Sequence, residues 1–209
     1  MSPRRYRADR RKAAAEETRR RIVEATVALH AEQGVVATTY AMIAERADVA
    51  IPTVYNHFPS QGALLGACTG HAAAQAPPLG PQIYDGASDL EDRLRTLVRA
   101  LFAYYRYYDP WMRWGVHEAP LLPDLAAALE KTIVRPGPLI ALALAPAFGN
   151  APPASLVALC EILLDFPAWQ RLDGEPGLGP TEAESVLADA LVALARRHGE
   201  AQTVTDHRG

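Results

Sequence analysis

Residues Thr38 to Leu65 read TTYAMIAERADVAIPTVYNHFPSQGALL, and this stretch decides the fold. Ile43, Ala44 and Ala47 recur at helical spacing and point one short helix at Val54 and Phe58 of the next. The alanines are small enough to let two short helices cross closely. Between them, Ala47-Asp48-Val49-Ala50 must turn tightly, which needs a residue that tolerates the left-handed region; glycine is the usual choice, Asp and Asn the next best. Val49 plugs the turn into the core. Pro52, Thr53, Asn56 and His57 are then left outward on the second helix, a surface dense in hydrogen-bonding groups. A short exposed helix held rigidly by another suits entry into a major groove.

Upstream, Ile22, Ala25 and Leu29 set a helix over Arg10 to Gln33, stopped by Gly34, and Thr38 and Thr39 are both good N-caps for the helix that follows. Arg4, Arg5, Arg7, Arg10, Arg11 and Lys12 stand against only Asp9 in the first twelve residues. Residues 1–65 balance at +3 and residues 66–209 at −6, within a net charge of −3. A basic head on an acidic body points to a polyanionic partner for the head. A solvated basic tail is the plainer reading of the same charges.

From Thr18 to Leu65 the chain resembles the TetR family of transcriptional regulators. The resemblance rests on the Ile22…Ala25…Leu29…Gly34 helix, the Thr38-Thr39 pair, Ile43-Ala44 and, most specifically, the string Thr53-Val54-Tyr55-Asn56-His57-Phe58. It implies that Tyr55 and His57 contact phosphates, that Pro52, Thr53 and Asn56 lie near base edges, and that Thr39 and the start of the fourth helix touch the DNA backbone. The DNA-binding set so implied is Thr38, Thr39, Tyr40, Ile51, Pro52, Thr53, Tyr55, Asn56, His57 and Gln61, joined by Arg4, Arg5 and Arg7 of the arm. Three residues depart from the family pattern. Asp48 stands where glycine is usual, Ala50 where a Ser/Thr cap is usual, and Gln61 where a lysine usually meets a phosphate. The lost cap is worth about 1 kcal/mol.

The expected fold is all-α, with an N-terminal basic arm and helix-turn-helix domain over residues 1–65 and a helical effector-binding and dimerisation domain over residues 66–209. In the second part Ala76–Gly86 reads as a Pro/Gly-rich linker, and Ser88-Asp89-Leu90-Glu91 and Thr181-Glu182-Ala183-Glu184 read as capping boxes. Asp109-Pro110 reads as a fresh helix start, and Pro123-Asp124 as another. The last two helices, Ala154–Arg171 and Thr181–His198, carry apolar residues on more than one face. They are expected to pair with their copies in a homodimer, as the closing helices of TetR proteins do, and Leu191 is a candidate for the interface; the alternative is that they only complete the monomer core.

Seven of the fifteen aromatic residues fall between Phe102 and Trp114. A helix cannot point them all inward, so a pocket wall is one reading and plain core the other. The candidate effector-binding set is Phe102, Tyr104, Tyr105, Tyr108, Trp111, Trp114, His117, Cys160 and Phe166, suited to a mainly apolar small molecule. His117-Glu118 lacks a third partner at ligand spacing, and His30 is expected to pack inside the first helix.

No catalytic set, metal site or cofactor motif emerges. Cys68 and Cys160 are expected as buried reduced thiols rather than a disulfide. No run of 18 apolar residues exists, and the basic N-terminus lacks the apolar stretch of a secretory signal, so a cytoplasmic protein off the membrane is expected. The partners so implied are a pseudo-palindromic double-stranded operator, a small effector and a second copy of the chain. The competing readings are a small helical enzyme for a hydrophobic substrate, and an architectural DNA-binding protein that needs no ligand.

Overall fold

The tight turn forms around Asp48. Helix α2 (Tyr40–Ala47) is capped by Thr39, whose side chain accepts from Met42 N, and ends at Asp48 with φ 52° and ψ 56°. Among the described residues Asp48 is the one non-glycine with positive φ. Arg21 secures the turn by donating to the Asp48 carbonyl at 2.7 Å and also to the Ala47 carbonyl. Helix α3 (Ile51–His57) begins at Ala50 with no side-chain cap, and Pro52 sits in its first turn. An Asp in this conformation carries strain that glycine does not. Asp48→Gly is therefore expected to stabilise the protein by about 0.5–1 kcal/mol, read as a raised thermal midpoint, because the side chain is fully exposed and its ion pair with Arg21 contributes little. Asp48→Val is expected to lower the midpoint.

The computed structural model describes the backbone of residues 3–206 and the side chains of residues 6–200. Its described elements are helical, ten α-helices and two short 3₁₀ turns. Helix α1 (Pro3–Gln33) starts earlier than the periodicity alone predicts, and α4 (Gln61–Gln75) is capped by Ser60, whose hydroxyl accepts from Ala63 N at 3.2 Å. The core of this part is built from Ile22, Leu29, Ile43, Ala44, Val54 and Phe58.

The chain divides into two compact units. One holds the residues up to Ala76 together with Tyr108–Ile133, the other Pro77–Tyr107 together with the chain from Val134 onward. The division falls inside α5 (Leu90–Glu118), two residues before Pro110. Asp109-Pro110 thus lies within a continuous helix instead of starting one. An interior proline removes one hydrogen bond and costs about 3 kcal/mol in isolation. Here Tyr108 and Met112 are buried on either side of it, and packing overrides the local signal.

Two expected capping boxes are also displaced. At α5 the cap is Asp89, which accepts from Asp92 N at 2.9 Å, while Glu91 pairs with Arg95 and Arg196. Helix α10 (Pro180–Asp206) starts on its proline, with Ala183 N donating to Gly179 O, and Glu184 turns to Arg106 at 2.7 Å. In both cases a carboxylate expected to cap its own helix is claimed by an arginine far away in sequence.

The remaining helices are α6 (Pro123–Thr132), α7 (Gly137–Phe148), α8 (Ala154–Leu163) and α9 (Phe166–Asp173). The single helix expected over Ala154–Arg171 is broken because Asp165 caps α9, accepting from Ala168 N at 2.7 Å, with Pro167 in the first turn. The stretch expected as a linker holds a 3₁₀ turn, Pro81–Tyr84, whose Tyr84 is buried and donates to Leu139 O at 2.7 Å. The second unit's core gathers Leu97, Leu101, Ile140, Leu144, Leu156 and Leu191. Leu191 is fully buried there, so it faces its own subunit and not a partner.

Candidate nucleic-acid interface and a cavity in the same unit

Helix α3 is only seven residues long, and its position is set by two buried residues. Val54 and Phe58, one turn apart, are both 0% exposed. The Arg19 guanidinium lies 4.3 Å above the Phe58 ring and donates to His57 O at 3.3 Å, tying α1 to the end of α3. Fixing that face leaves the opposite one outward: Ile51, Pro52, Tyr55 and Asn56 are exposed, while Thr53 and His57 are half-buried at its edges.

Tyr55 does not hang free. Its ring sits 4.5 Å from that of Tyr40, whose hydroxyl donates to Phe58 O at 3.1 Å. The pair links the start of α2 to the outward face of α3. Thr39 is exposed at the α2 cap, and Gln61 is exposed at the start of α4. Thr38 is turned the other way, its hydroxyl donating to Gly34 O at 2.7 Å. Arg7 is exposed on α1, whereas the side chains of Arg4 and Arg5 lie outside the described residues. The start of α2 and the outward face of α3 thus share one largely polar surface, joined by the Tyr40–Tyr55 pair. Helix N-termini direct backbone N–H groups outward and attract phosphates.

The candidate effector residues separate. Phe102 and Tyr105 are buried in the second unit, where Tyr105 packs edge-on to Phe166 at 5.5 Å and donates to Leu164 O; Cys160 is buried there too. Tyr104 is half-buried against Tyr105, and His117 is exposed on the last turn of α5. Tyr108, Trp111 and Trp114 belong to the first unit and line a cavity of about 80 Å³. Every wall of that cavity comes from the first unit: α1, the α1–α2 turn, α4, the end of α5, and α6.

The cavity is mostly apolar, and its polar neighbours are largely engaged. Trp111 donates to Val27 O at 2.9 Å and Trp114 to Ala31 O at 3.1 Å, so both indoles are pinned to α1. The Glu118 carboxylate accepts from Val35 N at 2.7 Å and Val36 N at 3.3 Å, clasping the α1–α2 turn. Gly34 is needed beneath it: φ is +83°, and a Cβ would strike that carboxylate. His30, expected only to pack, lines the cavity at 8% exposure, and desolvation pushes its imidazole down to about 4. It is a neutral ring at physiological pH. Burial raises the thiol of Cys68, also on the cavity wall, to about 12 and that of Cys160 to about 11, so neither offers a thiolate.

Glu118, His30 and Cys68 were not legible in the sequence as parts of one site. Glu118 meets its partners across more than eighty residues of chain, and no local spacing announces that.

A helix-turn-helix presented this way defines a DNA-binding domain of the bacterial regulatory type. Residues 22–68 match the family described as "Bacterial regulatory proteins, tetR family". Over these residues the chain is similar to the TetR family. It is 33% identical over 117 residues to the HTH-type transcriptional repressor KstR of Rhodococcus jostii, a match spanning 56% of this chain and 54% of that protein. It is 44% identical over 54 residues to the repressor of the same name from Mycolicibacterium smegmatis, 26% of each chain. The chain thus spans about half the length of the first relative and less of the second. Among solved structures it is similar to SCO7518 of Streptomyces coelicolor A3(2), with a TM-score of 0.56 at 16% identity over 86% of this chain and 98% of that one. A Rhodococcus transcriptional regulator gives 0.51 at 21% identity over 85% and 96%. These likenesses establish the all-α fold. Among the described residues no helix is long and apolar enough to cross a membrane.

Proposed function

We propose that the protein is a homodimeric, cytoplasmic transcriptional repressor that binds a pseudo-palindromic operator through α3 and is released from it by a small, mainly apolar effector. The outward face of α3, fixed from behind by Val54 and Phe58, is the observation that carries this reading. Repression follows the two relatives named as repressors. Tyr55, His57, Thr39, Gln61 and the arginines of the arm position the protein on phosphates, Tyr40 holds the Tyr55 ring in place, and Ile51, Pro52, Thr53 and Asn56 meet base edges.

A selection of bound sequences from a random DNA pool tests the reading. The wild type is expected to enrich an inverted repeat with half-sites about one helical turn or a small multiple apart. On the selected DNA, Tyr55→Phe and His57→Ala should weaken all sequences alike, since phosphates carry no base information. Asn56→Ala should cost about 1–3 kcal/mol at one position and relax the preference there. An unenriched pool, or Asn56→Ala behaving like the phosphate variants, counts against it.

Dimerisation is assigned to α8 and α10, which pack on each other in the second unit. Ile162 and Leu159 on α8 and Val186 on α10 stay exposed at 64%, 41% and 51%, and Ala190 and Ala193 continue the α10 stripe outward. Large aliphatic side chains left exposed on adjoining helices fit a partner of the same apolar character.

A further inference from the structure

The cavity in the first unit has three properties that together specify a ligand. It is apolar, with Val27, Leu65, Met112, Leu125 and Leu129 among its walls. Its one carboxylate, Glu118, is already occupied by the backbone of the α1–α2 turn. And it contains a polar side chain more than nine-tenths buried, His30, to which no residue among those described donates or from which none accepts a hydrogen bond. A charged guest would be desolvated here without a counter-charge. A wholly apolar guest would leave the imidazole unsatisfied.

We propose that this cavity is the effector's seat, and that it takes a neutral, mainly apolar molecule of at least one ring whose single hydrogen-bonding group, a hydroxyl or carbonyl, meets His30. The proposal rests on the reading of the chain as an effector-controlled repressor, and it puts the seat inside the unit that binds DNA. His30 stays uncharged at neutral pH because burial penalises its protonated form, so it serves as donor or acceptor through one neutral tautomer.

Size supplies the mechanism. At about 80 Å³ the cavity is smaller than the roughly 150 Å³ that accommodates a benzene ring. A ring-sized guest seated below the open mouth of the cavity must therefore spread the walls. Two of those walls are α1 and α4, which also enclose α2 and α3: Cys68 lines the cavity and belongs to the same buried cluster as Ile43, Val54 and Phe58. A third wall is α6, whose Leu125 packs with Leu65 and Val35 beside the Glu118 clasp. Spreading them changes how α4 and the α1–α2 turn support α3. The guest prefers the spread arrangement and DNA the unspread one, which is the differential affinity that release requires.

The test uses the full chain labelled with 5-fluorotryptophan and two probes of nearly equal shape, phenol and toluene. The chain has three tryptophans: Trp111 and Trp114 on the cavity, Trp169 in the other unit. Both probes are expected to shift the ¹⁹F resonances of Trp111 and Trp114 saturably and leave Trp169 unmoved. Phenol should bind about three- to tenfold tighter, the range of one net neutral hydrogen bond. His30→Leu should erase that preference while toluene still binds. Ala128→Leu, which fills the cavity from α6, should abolish both while keeping the melting temperature and the affinity for the selected DNA. Shifts confined to Trp169, no saturable shift, or unchanged binding by Ala128→Leu overturns the seat. A phenol preference that survives His30→Leu overturns the ligand class. If His30→Leu does not fold, the phenol–toluene difference and Ala128→Leu still decide. Saturating phenol should lower affinity for the selected DNA in the wild type and not in Ala128→Leu; binding without that loss overturns the effector role while the seat stands. Failure of the wild type to enrich any DNA, by contrast, removes the repressor reading whatever the probes do.

Discussion

Ile162→Glu combined with Val186→Glu is expected to turn the protein into a monomer that no longer holds its operator. The two side chains are 64% and 51% exposed, so neither supports the core of its own subunit, and the helical content and melting behaviour of the subunit should change little. Across a symmetric interface each glutamate recurs, placing four carboxylates in an apolar contact where they have no counter-charge. Sedimentation equilibrium at micromolar concentration should report a dimer for the wild type and a monomer for the double variant. Two linked recognition helices bind through one effective concentration, so losing the link should weaken operator binding by about 10²- to 10⁴-fold. A double variant that remains dimeric would show that the contact lies elsewhere. Leu191→Glu is the instructive control: it buries a charge in the subunit's own core, and the expected result is unfolding rather than dissociation.

The second large effect is expected at Phe58. The side chain is fully buried in the cluster that holds α2 and α3 against α1, its backbone carbonyl accepts from Tyr40, and its ring carries the Arg19 guanidinium. Phe58→Ala should cost about 3–5 kcal/mol. That is a large share of the roughly 5–15 kcal/mol a native protein has in total. Denaturant unfolding followed by the fluorescence of Trp111 and Trp114, which belong to the same unit, should show a lowered midpoint. DNA binding should be lost even though Phe58 faces no DNA. A variant with wild-type stability would mean that the recognition helix is held by something other than this ring.

These predictions draw on very different amounts of sequence information. The pattern of the stretch from Thr38 to Leu65 was legible because its caps, its turn and its apolar spacing are local, whereas the Arg19 and Arg21 contacts that tie it to α1 were not. Alanines at helical spacing, a cap at Thr39, an Asp able to take positive φ and an apolar pair one turn apart admit few arrangements. The outward face of α3 follows by elimination once Val54 and Phe58 are inside. The all-helical character of the rest was equally plain, as were the starts of α4 and α6.

Boundaries and partners in the second half were decided by tertiary structure. Glu91 and Glu184 had good local reasons to cap their own helices, and lost to arginines placed beside them by packing. Pro110 signals a helix start, yet burial of Tyr108 and Met112 carries α5 through it. The aromatic run from Phe102 to Trp114 could be read as a pocket wall or as plain core, and the units divide within it, between Tyr107 and Tyr108. Some rings therefore became the core of one unit, while Tyr108, Trp111 and Trp114 line a cavity in the other. His30, Cys68 and Glu118 carry no common motif and are brought to that cavity only by the crossing of α1, α4 and α5. Local propensity and periodicity by themselves determined the helices and the face of α3, since both depend on neighbours within a turn or two. Which polar group meets which, and where space is left between helices, depends on contacts between residues far apart in the chain, such as Val35 with Glu118 and Glu91 with Arg196, and only the folded chain decides them.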